Sequence, residues 1–188
     1  MLEKYHIILA SNSPRRKELL KGLGIDFEVR VIPDIDESYP AGIPPDEVPC
    51  YIARKKSKAY NIKNNELIIT ADTVVILDNV IIEKPDDRED AIQMLHKLSG
   101  QSHQVITGVV ISTLDKNISF SVKSTVSFAI LTDQEITYYV DTFQPYDKAG
   151  AYGIQEWIGY IGVQEINGSF YNVMGLPVQK LYQELKQF

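Results

Sequence analysis

The sequence predicts an α/β fold: a long mixed, partly antiparallel β-sheet with helices packed on its faces. Three observations lead there. Strand-like and helix-like patterns alternate in the first part of the chain, antiparallel pairs separated by turn residues dominate its middle, and 188 residues suffice for one domain with a substantial core or for two lobes sharing one sheet.

Taken in order, Tyr5–Ala10 reads as a buried strand. Ser13-Pro14 reads as an N-cap followed by proline at the first helical position. Leu19, Leu20 and Leu23 supply that helix with an apolar stripe, and Gly22 and Gly24 end it. Phe27–Ile32 is a second strand. From Pro33 to Pro49 proline and acidic residues accumulate, which predicts a long loop, and loops of that length are more often functional than idle. A helix follows from about Pro49 to Asn61, with Val48, Ile52, Ala59 and Ile62 along its inner side. Leu67–Thr70 is a strand leading into Ala71-Asp72-Thr73, and Val74–Leu77 with Val80–Glu83 forms a hairpin through Asp78-Asn79. Asp86–Leu98 is helical, and His103–Leu114 and Ile118–Ile130 are long strands joined by a turn at Asp115-Lys116-Asn117. Thr132 caps a helix reaching about Asp141, glycine-rich connections and short strands fill Gly150 to Gly175, and Pro177–Leu185 is a last helix.

Composition narrows the function. Hydrophobic residues make up 44% and charged residues 23%, the balance of an ordinary soluble globular protein. No apolar run approaches the roughly 20 residues that span a bilayer, and Glu3, Lys4 and His6 precede too short an apolar stretch for a secretory leader. Cys50 is the one cysteine, which excludes an intramolecular disulfide and suits a reducing, cytoplasmic location. Three scattered histidines and no cysteine pair speak against structural zinc. A formal net charge of −6 argues against general nucleic-acid binding, though not against a local basic pocket for a small polyanion.

Such a pocket has candidates. Around Ser11, Ser13, Arg15 and Arg16 a strand passes through a hydroxyl-rich loop into a helix N-terminus, where backbone N–H groups, the helix dipole and two guanidinium forks converge. The same residues also describe a capped helix with solvated cations. No Walker loop, G-x-G-x-x-G or G-x-S-x-G pattern is present. Asp72 follows the apolar run "LIIT", so its carboxylate is expected near the end of a rigid strand, able to hold a divalent cation or take a proton from water; a turn-forming aspartate is the plainer reading. Lys56 borders the inner stripe of its helix, while Arg54, Lys55 and Lys58 are expected to face water. Lys84 in "IEKPDD" can reach a phosphate, and Glu37 in "PDIDESYP" can ligate a metal or simply be solvated. In "DKAGAYGIQE", Gly150 and Gly153 permit close backbone approach, Tyr152 offers a stacking face, and the amide of Gln155 suits the edge of a pyrimidine; a tight structural turn has the same composition.

Together "LASNSPRRKELL", "ADTVV", "EKP", "KAGAYGIQ" and "NGSFYNVMGLP" resemble the serial signatures of the Maf (septum-formation protein) nucleotide pyrophosphatases, in order from Leu9 to Pro177. In particular they resemble the subfamily that hydrolyses dTTP and UTP. The resemblance implies one nucleotide-pyrophosphatase domain over residues 1–188, with a fold similar to the inosine triphosphate pyrophosphatases, two lobes around a deep cleft, and dimers. It implies hydrolysis of a nucleoside triphosphate to the monophosphate and pyrophosphate, with Asp72 as proton acceptor. It assigns Arg15, Thr73 and Gln155 to nucleotide choice and Ser11, Arg16, Lys56 and Lys84 to the phosphate pocket. A divalent cation, Mg²⁺ or Mn²⁺, is expected on Glu37 and Asp72. Stable nucleic-acid or membrane partners are not expected. The family usually has glycine after the glutamine of "GIQ", whereas here Glu156 and Trp157 follow. Alternatives are a pyrophosphatase of the same fold for methylated GTP or other non-standard nucleotides, and a non-catalytic nucleotide- or DNA-binding regulator of cell division. House-cleaning of nucleotides and a checkpoint on septum formation both fit this chemistry.

Overall fold

The computed structural model describes residues 4–188; residues 1–3, including the Glu3 that weighs against a leader, lie outside the described residues. The elements run β1 (His6–Leu9), α1 (Pro14–Lys21), β2 (Glu28–Val29), α2 (Val48–Lys58), β3 (Glu66–Leu77), β4 (Val80–Ile82), α3 (Arg88–Leu98), β5 (Ser102–Ser112), β6 (Asn117–Phe128), α4 (Asp133–Phe143), α5 (Trp157–Gly162), β7 (Val163–Asn167), α6 (Phe170–Met174) and α7 (Val178–Leu185). The strands join one seven-stranded sheet in the order β2-β1-β3-β5-β6-β7, with β4 paired to β3 off that path. β1 lies parallel to β2 and β3, whereas β4 on β3 and β7 on β6 are antiparallel. The mixed sheet expected from the sequence is the one found. Among the described residues no helix is long and apolar enough to cross a membrane.

The chain divides into two compact units, one comprising the chain up to Thr73 with Thr107–Val122 and Gly175–Phe188, the other Val74–Ile106 and Lys123–Met174. In the first, Ile8 and Ile68 are fully buried side by side on paired strands, and Tyr60 packs on them with Ala10, Ile32, Ile35 and Ile62 around the edge. Tyr60 also explains why β2 is two residues long where the sequence predicts Phe27–Ile32. Its hydroxyl donates to the Arg30 carbonyl at 2.9 Å and accepts the Ile32 N–H at 3.2 Å, drawing the chain out of the ladder.

α1 starts as read, with Ser13 at the N-cap, Pro14 in the first turn and Gly22 at the C-cap. α2 buries Val48 and Ile52 as its pattern predicts, but its later residues turn a different side inward. Ala53 and Ser57 join Val48 and Ile52 in the buried set, whereas Ala59 is exposed beyond the helix end. The cause lies on the strands beneath. A Cβ on Gly108 of β5 would sit 2.3 Å from the Cys50 nitrogen, so the first turn of α2 rests directly on that glycine. Thr70 Oγ1 donates to the Ala53 carbonyl at 2.7 Å, and the Ser57 and Ser112 hydroxyls share a 2.7 Å hydrogen bond.

In the second unit the β3–β4 hairpin turns through Asp78 and Asn79, both at positive φ (49° and 64°), as a two-residue loop of mirror-image type requires. α3 is capped by Asp87, and α4 opens with a reciprocal Thr132–Glu135 capping box. The glycine-rich stretch from Gly150 to Gly175 contains α5 and α6 as well as the strand β7. Five- and six-residue helices are too short to display a periodicity, and Gly159 and Gly162 within α5 conceal it further.

Candidate active site

β3 is the platform. The sequence predicts Asp72 near a strand end, but it lies in the middle of an unbroken 12-residue strand. The apparent break has a physical origin: the β1 ladder closes at Leu9↔Ile69 and the β4 ladder opens at Val75↔Ile82, so Asp72 stands between two partners while β5 accompanies the strand.

With α2 docked as described, Lys56 projects its ammonium to within 2.9 Å of Asp72 Oδ1 and 3.0 Å of Glu37 Oε1. The side chains of Lys56 and Asp72 are 14% and 13% exposed, while Glu37, from the long loop, is 52% exposed. Lys55, expected to face water, is partly exposed but not solitary. Its ammonium binds Asp36 and the Ser38 carbonyl, while Asp36 accepts the Ser38 N–H at 2.9 Å. That clasp moors the acidic loop to α2 and keeps Glu37 beside Lys56. Arg54 likewise finds a partner, donating to Ser119 Oγ at 2.8 Å.

Arg16 lies beneath Asp72. Its guanidinium donates to the Gly175 carbonyl at 2.8 Å, the Ala71 carbonyl at 3.0 Å, Thr73 Oγ1 at 3.0 Å and, at 3.4 Å, Ser11 Oγ. A guanidinium has five N–H donors, so the phosphate role expected of Arg16 narrows to the one these contacts leave. Burial pushes its pKa down, the charges of Asp72 and Glu37 oppose that shift, and Arg15 reinforces it. These influences put Arg15, Arg16, Asp72 and Glu37 in one electrostatic neighbourhood. Ser11, buried, accepts the Ser13 N–H at 3.2 Å as well as the contact from Arg16. Thr73 Oγ1 is held between Arg16 and Thr107 Oγ1, the latter at 2.9 Å.

The first unit thus gathers Ser11, Arg15, Arg16, Glu37, Lys56, Asp72 and Thr73. The carboxylates expected to share a divalent cation do converge on a single cationic atom, Lys56 Nζ. Among the described residues no three metal-ligating side chains of the His, Cys, Asp and Glu type are grouped. Two oxygen-donor carboxylates, Glu37 and Asp72, fit the chemistry of a hard cation such as Mg²⁺ or Mn²⁺, which binds through one or two carboxylates and keeps several waters.

Lys84 and Gln155 belong to the second unit. Lys84 is exposed just past β4, and its neighbour Glu83 accepts the Gly150 N–H at 3.0 Å, which ties "EKP" to "KAGAYGIQ". Gln155 sits in a turn closed by the Glu156 N–H on the Gly153 carbonyl at 3.0 Å, with its Oε1 buried and without a hydrogen-bond partner. Tyr152 is not the open stacking face expected from the sequence. It is buried, its ring edge-on to Phe128 and His103 at 5.0 and 5.4 Å, and its hydroxyl is 2.7 Å from His103 Nε2. Burial lowers the His103 pKa to about 4 and raises that of Tyr152.

Sequence reasoning missed Thr107, which had a signal, a polar residue inside the apolar run of β5.

The profile of the Maf-like protein family matches residues 6–188. The dTTP/UTP pyrophosphatase of Parabacteroides distasonis is 66% identical over 189 residues, covering 100% of this chain and 98% of that protein. The protein of the same name from Bacteroides thetaiotaomicron is 60% identical over 188 residues, covering 99% and 97%. Among solved structures, a HAM1 protein from Coxiella burnetii aligns with a TM-score of 0.48 at 14% identity, covering 98% of this chain and 100% of that one.

Proposed function

This chain belongs to the Maf-like protein family, and on that premise we propose that it hydrolyses dTTP and UTP to the nucleoside monophosphate and pyrophosphate. Full-length relatives carrying that name at 66% and 60% identity support the reading. Within the molecule the observation that carries it is the Lys56 ammonium between Asp72 and Glu37, beside a guanidinium that holds the Ala71 carbonyl and the Thr73 hydroxyl on either side of Asp72.

Cleaving an α–β anhydride requires charge neutralisation, an aligned water and removal of its proton. Asp72 is the proton acceptor: the strand backbone is rigid, and Arg16 grips residues 71 and 73 on either side, so the carboxylate is held in place before substrate arrives. Lys56 bonds to Asp72 in the resting site and exchanges part of that contact for phosphate oxygen. Arg15, the α1 N-terminus and the Ser11 hydroxyl take the rest of the triphosphate charge in the first unit, and Lys84 is the phosphate-binding candidate of the second. The cations at the mouth of α1 thereby find separate employments, Arg16 under the strand and Arg15 toward the anion. Glu37 and Asp72 would hold a divalent cation, which would supply Lewis-acid chemistry, neutralising phosphate charge and making water easier to deprotonate. Gln155 offers donor and acceptor atoms to the pyrimidine edge, and Thr73 shapes the same preference.

The test is a nucleotide panel with Mg²⁺ in which pyrophosphate and monophosphate are measured separately. Turnover of dTTP and UTP with equimolar products is expected. Preference for methylated GTP moves the assignment to the purine alternative, and salt-sensitive DNA binding without pyrophosphate release overturns it in favour of a regulator.

A further inference from the structure

Glu156, directly after Gln155, is tied back over the turn that carries it. The turn that carries Ile154 and Gln155 at its centre begins at Gly153 and ends at Glu156. Both of its ends meet the same atom. The Gly153 N–H donates to the Tyr139 hydroxyl at 3.0 Å, and that hydroxyl donates in turn to Glu156 Oε2. Lys148 Nζ lies 3.2 Å from the other carboxylate oxygen, Oε1, and 2.7 Å from Asp147 Oδ1. Glu156 occupies the N-cap position of α5 yet makes no cap with its side chain; the carboxylate folds back over the turn instead. Only a glycine leaves room for it, since a Cβ at residue 153 would stand 2.7 Å from Glu156 Cδ. Tyr139 is fully buried on α4 and stacked on Phe143 with ring centroids 5.1 Å apart, so the hydroxyl at the centre of this brace has a rigid mount.

We infer that Tyr139, Glu156 and Lys148 are positioning residues that set nucleobase selectivity by bracing the turn that presents Gln155. This rests on the proposed role of Gln155 in reading the base. The brace fixes the turn whose Gln155 Oε1 is buried with no hydrogen-bond partner, an acceptor that a donor on the base would satisfy. A side chain on a two-residue turn tip is otherwise free to swing. Two linked hydrogen bonds at one buried hydroxyl, one accepted and one donated, hold the turn's ends at constant separation, and the Lys148 ion pair orients the Glu156 carboxylate.

Tyr139→Phe removes the shared hydroxyl and keeps the ring; Glu156→Gln keeps an acceptor for Tyr139 while losing the charge. Two measurements are made on wild type and both variants: amide hydrogen exchange across residues 149–157, and kcat and KM for dTTP, UTP, CTP and GTP. For Tyr139→Phe we expect faster exchange in that segment, and a fall of about tenfold in dTTP-over-CTP selectivity, the size of one lost hydrogen bond. The loss appears in KM, with kcat for dTTP changing less than about twofold, because the bond-breaking groups are elsewhere. Glu156→Gln retains more of the selectivity than Tyr139→Phe. Unchanged exchange in Tyr139→Phe overturns the brace. Faster exchange with an equal loss on every nucleotide overturns its link to selectivity. A wild type inactive on dTTP and UTP defeats the functional premise and not the brace, which the exchange measurement reads separately.

Discussion

Replacing Arg16 with alanine separates phosphate ligation, the role expected from the sequence, from the internal scaffolding that its contacts show. The guanidinium donates to two backbone carbonyls, of Ala71 and Gly175, at 3.0 and 2.8 Å, and to two hydroxyls, of Thr73 and Ser11, at 3.0 and 3.4 Å. A hydrogen bond to a charged group contributes about 1.5–3 kcal/mol, and each acceptor stranded in the interior costs about 1–3 kcal/mol. Water can enter as the side chain is deleted, and the contact to Ser11 is long, so the two carbonyl contacts dominate. A net loss of about 3 kcal/mol follows from them. For a chain of this length each kcal/mol lowers the melting temperature by about 2–4 °C, so Arg16→Ala should melt about 6–12 °C below wild type. Arg16→Lys should fall between, since one ammonium retains the charge but cannot reach all four acceptors. Circular dichroism melts of the three proteins, with urea titrations to confirm equal m-values, are the assay. An Arg16→Ala protein that melts within about 2 °C of wild type but has lost affinity for triphosphate would refute the scaffold role and return Arg16 to the substrate.

Three further outcomes are expected. Asp72→Asn should lower turnover by about 10²–10⁴, the usual range for a lost general base, while equilibrium binding of nucleotide stays near wild type; full hydrolysis by the variant reassigns the base. Gly108→Ala should destabilise by about 2–3 kcal/mol through overpacking, because the new methyl would lie 2.3–2.5 Å from α2 backbone at Pro49 and Cys50; chemical denaturation reads it, and a neutral result would mean that α2 does not rest on that glycine. The third concerns pH. His103 is buried with its pKa near 4, below the unfolded value of 6.5, so between those pH values the unfolded chain binds the extra proton. Its contribution to stability is intact above pH 6.5 and declines as the pH falls toward 4, by roughly 3 kcal/mol in all. His103→Gln should flatten that part of the stability–pH curve, and an unaltered slope would exclude His103 as its source.

How far the sequence reaches is clear from particular residues. Ser13-Pro14, Thr132 with Glu135, and Asp78-Asn79 act through neighbours within four positions, and such local chemistry marked its elements correctly. The inner side of α2 was legible at Val48 and Ile52 but not at Ala53 and Ser57, because that part is decided by Gly108, Thr70 and Ser112, far away in the chain and on other strands. Asp72 was picked out by its place after an apolar run, yet its mid-strand position depends on where β1 and β4 stop pairing. Lys56 and Glu37 could be nominated as residue types, whereas their meeting needs the Lys55–Asp36 clasp. Arg16 shows the reverse limit. An arginine at a helix mouth reads as an anion ligand, and only coordinates reveal acceptors at residues 71, 73 and 175. Tyr152 failed as a stacking face for a similar reason, since its neighbours His103 and Phe128 come from β5 and β6.

The central claim is that Asp72 and its cationic neighbours direct water onto the α-phosphorus of a pyrimidine nucleoside triphosphate. Hydrolysis of dTTP in ¹⁸O-labelled water, followed by mass analysis of both products, tests it most directly. One labelled oxygen in dTMP and none in pyrophosphate is the predicted result; label in the pyrophosphate, or release of orthophosphate and dTDP, would contradict it.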